Sequence, residues 1–520
     1  MRGAFDELHW EPEDDPATQA LVARGETMGC FYIESPAMRL LQRKTGKGDY
    51  AHLVIHSSII RPAANEYITE YVARLRGKPW QPFHPLLEDV LAETYGIMVY
   101  QEDVSKAAMA LAGFDHVEAD RLRKVLSKKD KERHLPDFQR RFEAGARARG
   151  VPVETIQAVW RMMLSFAGYS FCKPHSASYA RVSFQAAYLK VHYPAEFMAA
   201  VLGNEGGFYS RFAYVSEARR LGLIVLRPDV NASQARWQGG AAAQPPPGVA
   251  PLRALRAGLQ TVKALSVETS ARILSARQVR PFSSLGDFLD RVQPDAREAR
   301  ALIHAGAFDS LNRAPLPVAQ PSGLRRNPED CATTRTALLW ELSCRHSSTG
   351  VSPVQCHAEN SASLFDALEP GGDPVDNSVP PVFPPGTELE RLRQEFAVLG
   401  FLCDRHPLEL FADSLQGRRL VKAAELPRYA GRHIQAAGWP ITAKPVSSRA
   451  GEPMEFRTFE DETGLLETVF FPQAYRRFCH LTGDGPCLLG GRVEEEFGAV
   501  TLTVDAVQAI RPSAARVGRR

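Results

Sequence analysis

From Gly96 to about Val225 the sequence keeps the 3.6-residue period of helices and breaks it only at Gly113, Gly150, Gly168, Pro174 and Pro194. A run of that length commits the chain to a mainly helical fold. Within it Ala119, Leu122 and Leu126 fall at i, i+3 and i+7, while Arg121, Lys124 and Lys128 form a second stripe at the same spacing. One face packs and another is cationic. Between Arg121 and Arg149 there are eleven Lys or Arg against four Asp or Glu, in a chain whose net charge is only +3. The excess is therefore local, and two readings stay open: a surface for a polyanion, or a solvated helix face.

The second half of the run adds a more specific arrangement. An apolar segment with Val159, Met162, Met163 and Phe166 ends at Gly168, Pro174 blocks its continuation, and Ser176 or Ser178 is placed to cap a new helix toward His192. Lys173 and His175 are thus expected just before a helix N-terminus. Free backbone N–H groups, the positive end of the helix dipole, a cation and an imidazole together suit a phosphate group. Taken alone, His175 reads equally as a hydrogen-bonded structural histidine.

Upstream, residues 1–95 read as alternating short helical and extended pieces. The acidic cluster Glu11, Glu13, Asp14 and Asp15 precedes Pro16 and an alanine-rich segment, so Asp15 is expected to cap a helix rather than bind a metal. GCFYIES (29–35) reads as a strand leading into a helix. Downstream, residues 239–251 form a Gly, Ala and Pro-rich loop, and residues 252–311 return to helical spacing. Residues 312–386 lose periodicity around one helical island, TRTALLWELS, and are expected to be a linker. A helical connector (387–430) precedes five short alternating strands and one helix at 431–510, the pattern of an OB-fold barrel, and a basic tail at 511–520. Phe456, Arg457 and Phe459 offer either a stacking surface for single-stranded DNA or part of the barrel core.

Eight cysteines show no C-x-x-C pair, and Cys331, Cys344 and Cys356 with His346 and His357 have spacings unlike a compact zinc knuckle. Free thiols, no long apolar window and no apolar leader point to the cytoplasm.

Four stretches in one order carry a resemblance: GIMVYQEDV (96–104), ADRLRKVLSKK (119–129), FAGYSFCKPHSASYA (166–180) and HYPAEFMAAVL (192–202). They resemble the fingers-domain signatures of bacterial C-family DNA polymerases, the DNA polymerase III alpha subunit group. SIIRPAAN (58–65) and GGFYS (206–210) are closer to its error-prone branch. The resemblance implies a palm-fingers junction at 1–95, fingers at 96–238, and tandem helix-hairpin-helix motifs at 252–311, although Ala264 stands where such a hairpin often has glycine. It implies Arg123, Lys124, Lys128, Lys173 and His175 as contacts for the nucleotide phosphates, and Arg121, Lys129 and Lys263 as contacts for DNA.

SASLFDAL (361–368) is similar to a sliding-clamp peptide with Leu364 and Phe365 as anchors. The family's reaction is template-directed nucleotidyl transfer from deoxynucleoside triphosphates with Mg2+, in replication, repair or translesion synthesis. Its three palm aspartates lie upstream of the matched segment, so no catalytic residue or metal ligand is assigned here. The expected partners are primer-template DNA, deoxynucleoside triphosphates, the sliding clamp and other translesion-synthesis proteins, and a separate N-terminal polymerase segment. A DNA-binding scaffold without catalysis is the alternative.

Overall fold

The computed structural model describes residues 10–61, 65–127, 134–166, 172–241, 253–311, 329–347, 387–448, 450–483 and 485–512. Its first part is helical: α1 (Pro16–Ala23), α2 (Pro36–Thr45), α3 (Tyr50–Ile59), α4 (Asn65–Leu75), α5 (Glu88–Leu91), α6 (Gln101–Ala112), α7 (His116–Ser127), α8 (Leu135–Ala148), α9 (Val153–Leu164), α10 (Lys173–His192), α11 (Pro194–Asn204) and α12 (Arg211–Arg220). Local chemistry explains the starts. Asp15 accepts the Thr18 N–H at 2.7 Å, as its position before Pro16 requires, and Asp49 does the same for His52 at 3.1 Å. Gly113 ends α6 in the left-handed region at φ 69°.

Next come β1 (Ile224–Leu226), β2 (Gln238–Ala241) and β3 (Arg253–Arg256), a small sheet in the order β1-β3-β2. Helices α13 (Val267–Val279), α14 (Leu285–Val292), α15 (Ala296–Ala305), α16 (Glu329–Ser347), α17 (Glu388–Leu399) and α18 (Ala412–Leu415) follow. The chain then forms β4 (His433–Ser447), β5 (Pro453–Glu460), β6 (Leu465–Phe470), α19 (Pro472–Phe478), β7 (Cys487–Glu496) and β8 (Ala499–Ala509). These five strands close into a barrel in the order β4-β5-β6-β8-β7, with the parallel β6–β8 pair closing the ring. The mainly helical class with a C-terminal OB-like barrel is the one the sequence indicates.

The chain divides into two compact units. One joins residues 1–197 and 206–210 to the barrel at 419–509, and the other holds 198–205, 211–418 and 510–520. In the first unit Leu111, Leu122, Phe142, Val159 and Met163 fill the core of α6 to α9. Phe459, Leu466, Phe470, Leu489 and Leu502 fill the barrel. The barrel is bound to the N-terminal helices of its unit by a buried pair, Arg39 Nη1 to Glu467 Oε1 at 3.3 Å. A surface set joins it: Lys44 pairs with Glu496, and Arg76 donates to the Phe497 carbonyl at 2.8 Å.

In the second unit Arg227 links β1's end to α17 and the loop beyond. Its Nε lies 2.7 Å from Glu395 and its Nη2 3.1 Å from Asp404. Burial opposes the Arg227 charge, but those two carboxylates more than offset it and raise its pKa. Glu395, fully buried, also accepts the Cys403 N–H at 3.0 Å.

Several expectations change. GCFYIES is a chain of turns: Cys30 and Ile33 donate to carbonyls three residues back, Gly29 and Tyr32 have positive φ, and the Gly29 N–H is taken by Glu34. Local bonding there consumes the groups a strand would need. Among the described residues no strand precedes Ile224. Helix α10 starts at Lys173, with Cys172 as N-cap, because Pro174 is tolerated in a first turn whose N–H groups have no helical partner. Ser176 is buried against Ser58 instead, at 2.7 Å, and Ser178 bonds back to the Pro174 carbonyl. Gly239 to Ala241, assigned to the loop, pair with β3. The helical island of the 312–386 stretch is α16, and it docks on the preceding helices: Arg335 binds Asp309 through two nitrogens, and Arg345 reaches Asp290 at 2.8 Å.

The residues before α13 also carry a backbone anomaly. Ala264 has φ 73°, a conformation that costs an L-residue about 1–2 kcal/mol and glycine much less. Ala264 thus takes a left-handed conformation that glycine would adopt more readily. Ala264→Gly should stabilise the second unit by about 0.5–1 kcal/mol after glycine's extra chain entropy is deducted. A lower thermal midpoint for the variant would contradict this.

Candidate nucleotide and DNA contact sites

The sequence singles out cations on α7 and at the start of α10, and α6 connects them. Its first residues, Gln101 to Asp103, begin a helix in the middle of GIMVYQEDV. Asp103, almost wholly buried, accepts the N–H groups of Val99 and Tyr100, both at 2.8 Å, and so fixes the turn into α6. From that turn Gln101 Oε1 receives Arg123 Nη1 at 2.7 Å. The neighbouring Glu102 receives the backbone N–H of Lys173 at 3.2 Å. Arg123 and Lys173, far apart in sequence, thus both engage the same helical turn. Lys173 Nζ also lies 5.4 Å from the centre of the Tyr100 ring.

His175 stands in the first turn of α10 with its ring 4.4 Å from that of Tyr179, edge to face. Lys124 is on the exposed side of α7, and Arg121 is exposed one turn earlier. Lys128 and Lys129 lie outside the described residues, as do Leu364 and Phe365, Cys356 and His357, and the side chains of Cys331, Cys344 and His346.

A further arginine supports the turn. Arg61, from SIIRPAAN, is buried, donates to the Met98 carbonyl at 3.1 Å and lies 3.7 Å from the Phe166 ring centre. Burial pushes its pKa down to about 10, opposed by the charge of Asp103. Burial likewise pushes Asp103 up to about 6, although its two backbone donors pull the other way. A carboxyl whose folded pKa is raised contributes its full stability below its unfolded value and loses it as pH rises through about 6. Stability of the first unit should therefore carry a component that falls between about pH 4 and pH 6, by up to about 1.4 kcal/mol for each pH step of one. Urea denaturation across that window should show a flatter profile for Asp103→Asn, and identical slopes would refute the assignment.

In the second unit Lys263 is exposed but engaged. Its Nζ donates to the Ala397 carbonyl at 3.2 Å, in the last turn of α17 where a cation is favoured, and its N–H donates to the Val398 carbonyl at 2.9 Å. The N-terminus of α13 behind it is capped by Ser266 and covered by Glu298, which accepts the Ser266 N–H at 2.9 Å and the Thr269 hydroxyl at 2.8 Å. Burial opposes the Glu298 charge, yet these donors hold its carboxyl below the usual range. In the barrel the three-residue stacking surface separates: Phe456 is exposed, Arg457 pairs with Glu455 at 2.9 Å, and Phe459 is wholly buried. Strand alternation sends neighbours to opposite faces, and residue 459 lies on the inner one.

Among the described residues no group of three or more His, Cys, Asp or Glu is arranged to hold a metal ion. No chemical step is assigned to the residues described. Among them, too, no helix is long and apolar enough to cross a membrane.

Residues 6–150 match the family described as bacterial DNA polymerase III alpha subunit finger domain, and residues 222–316 match the helix-hairpin-helix motif family. The error-prone DNA polymerase of Symbiobacterium thermophilum is 30% identical over 96% of this chain and 46% of its own length. The DNA polymerase III subunit alpha of Saccharopolyspora erythraea is 32% identical over 94% of the chain and 40% of its own length. The error-prone DNA polymerase of Burkholderia pseudomallei is 32% identical over 92% and 42%. The chain thus spans less than half the length of these relatives. It is similar along nearly its whole length to error-prone DNA polymerases and DNA polymerase III alpha subunits, with a stretch similar to their finger domain followed by one similar to the helix-hairpin-helix motif.

Proposed function

We propose that this chain is the fingers, helix-hairpin-helix and barrel portion of an error-prone, DNA-directed DNA polymerase, binding primer-template DNA and the incoming deoxynucleoside triphosphate in DNA replication or damage-tolerant synthesis. The observation that carries the reading is the joining of Arg123 and Lys173 through one turn of α6, where the segment that matches the finger family meets the start of α10. In nucleotidyl transfer, charge builds on the leaving pyrophosphate, and cations held in place beforehand stabilise it. Arg123, Lys124, Lys128, Lys173 and His175 supply that charge in this proposal, while Arg121, Lys129 and Lys263 meet DNA phosphates. Mg2+ is held by carboxylates outside this chain, and Leu364 and Phe365 anchor the sliding clamp.

Primer extension with Mg2+ tests the proposal, first with this chain alone and then with a separately expressed segment carrying the family's palm. Product only on mixing, lost in Arg123→Ala and Lys173→Ala, is the expected result. Product from the chain alone would mean that it contains a metal site of its own. Salt-sensitive DNA binding with no product in either case would favour a scaffold instead.

A further inference from the structure

Three of the cations assigned to phosphate, Arg123, Lys124 and Lys173, are already paired with carboxylates of the chain itself. Lys173 Nζ sits between both oxygens of Glu93, at 2.7 and 2.6 Å. Asp120 holds two cations at once: Oδ1 takes Arg123 Nε and Nη2 at 3.1 and 2.8 Å, and Oδ2 takes Lys124 Nζ at 2.7 Å. In each case carboxylate oxygens occupy the donors that the proposed function gives to phosphate. Neither acid is buried, and the side chains of Lys173 and Glu93 are each about half exposed, at 46% and 50%. Pairs of that kind are weak and exchange readily, whereas a buried pair such as Arg39 with Glu467 does not.

We propose that Glu93 and Asp120 are internal stand-ins for phosphate, occupying the nucleotide-binding cations in the ligand-free chain and leaving them only when a polyphosphate takes their place. This rests on the proposed function. The pairs impose a competition that a single weak anion loses. A polyphosphate wins because it presents several charges to all three cations together. Removing a stand-in should therefore tighten polyphosphate binding, although each variant leaves every cation in place.

Calorimetric titration of inorganic tripolyphosphate into the full chain at one fixed salt concentration tests this. Glu93→Gln and Asp120→Asn should each bind roughly two- to fivefold more tightly than the parent. Glu452→Gln frees Arg476 on the barrel by the same change of charge and should have no effect. The gain from Glu93→Gln should vanish in a Lys173→Ala background, as a pairwise contact requires. If the parent binds and the two variants bind no better than Glu452→Gln, the stand-in proposal is overturned while the proposed function stands. Binding by the Glu93→Gln/Asp120→Asn double variant alone would support the proposal in its strongest form. Absence of binding by the parent and by that double variant would overturn the nucleotide-binding role and the stand-ins together.

Discussion

Replacing Glu467 with alanine should destabilise the first unit by about 3–5 kcal/mol, because it leaves the Arg39 guanidinium buried without its counter-charge. Both side chains are nearly inaccessible, at 5% for Arg39 and 7% for Glu467. The environment is otherwise satisfied: Arg39 Nε donates to the Gly25 carbonyl at 3.0 Å, and the Thr458 hydroxyl donates to the other Glu467 oxygen at 2.6 Å. The loss should exceed that from any of the surface pairs, whose contribution is about 0–1 kcal/mol each. Arg39→Met/Glu467→Met should regain much of it, since two apolar side chains of similar length remove both desolvated charges. Denaturant titration followed by circular dichroism measures the three variants. A cost under about 1 kcal/mol for Glu467→Ala would show that the pair is solvated in solution and does not hold barrel to helices.

Phe459→Ala should cost a similar amount, about 3–5 kcal/mol, through the cavity it opens in the barrel. The ring is fully buried against Phe470, at 6.5 Å between centroids, and opposite it Gly438 has no side chain because a Cβ there would approach Phe459 Cβ to 2.8 Å. Phe456→Ala, on the same strand but exposed, should change stability by no more than about 0.5 kcal/mol. Fluorescence anisotropy with a labelled oligothymidine separates stacking from packing. Weaker binding by Phe456→Ala with unchanged stability would place DNA on the outer face. An unaltered melt for Phe459→Ala would contradict its place in the core.

What the sequence makes legible is mostly local. The helix start at Asp15 follows from capping chemistry within a single turn, and the barrel strands follow from alternation within each strand. The start of α10 is harder to read because a capping serine and a first-turn proline compete for the same few positions, and Ser176 is drawn away by Ser58, more than a hundred residues upstream. The pairing of Asp120 with Arg123 and Lys124 lies open in the i, i+3 and i, i+4 spacing of α7. Glu93 gives no such signal. It meets Lys173 across 80 residues, a distance at which only the fold brings charges together. The engagement of Lys263 with the end of α17 is equally hidden, since it depends on a helix more than a hundred residues downstream.

The Arg39–Glu467 contact also sets a timetable. Its partners are 428 residues apart, and the ribosome adds about 5–20 residues each second, so Arg39 emerges roughly 20–90 seconds before the strand that neutralises it. During that interval α2 carries a cation built for an interior that does not yet exist. The contact that ties α2 to the barrel is therefore among the later ones of its unit to form, and a nascent chain stalled before β6 should be more protease-sensitive around α2 than the finished chain.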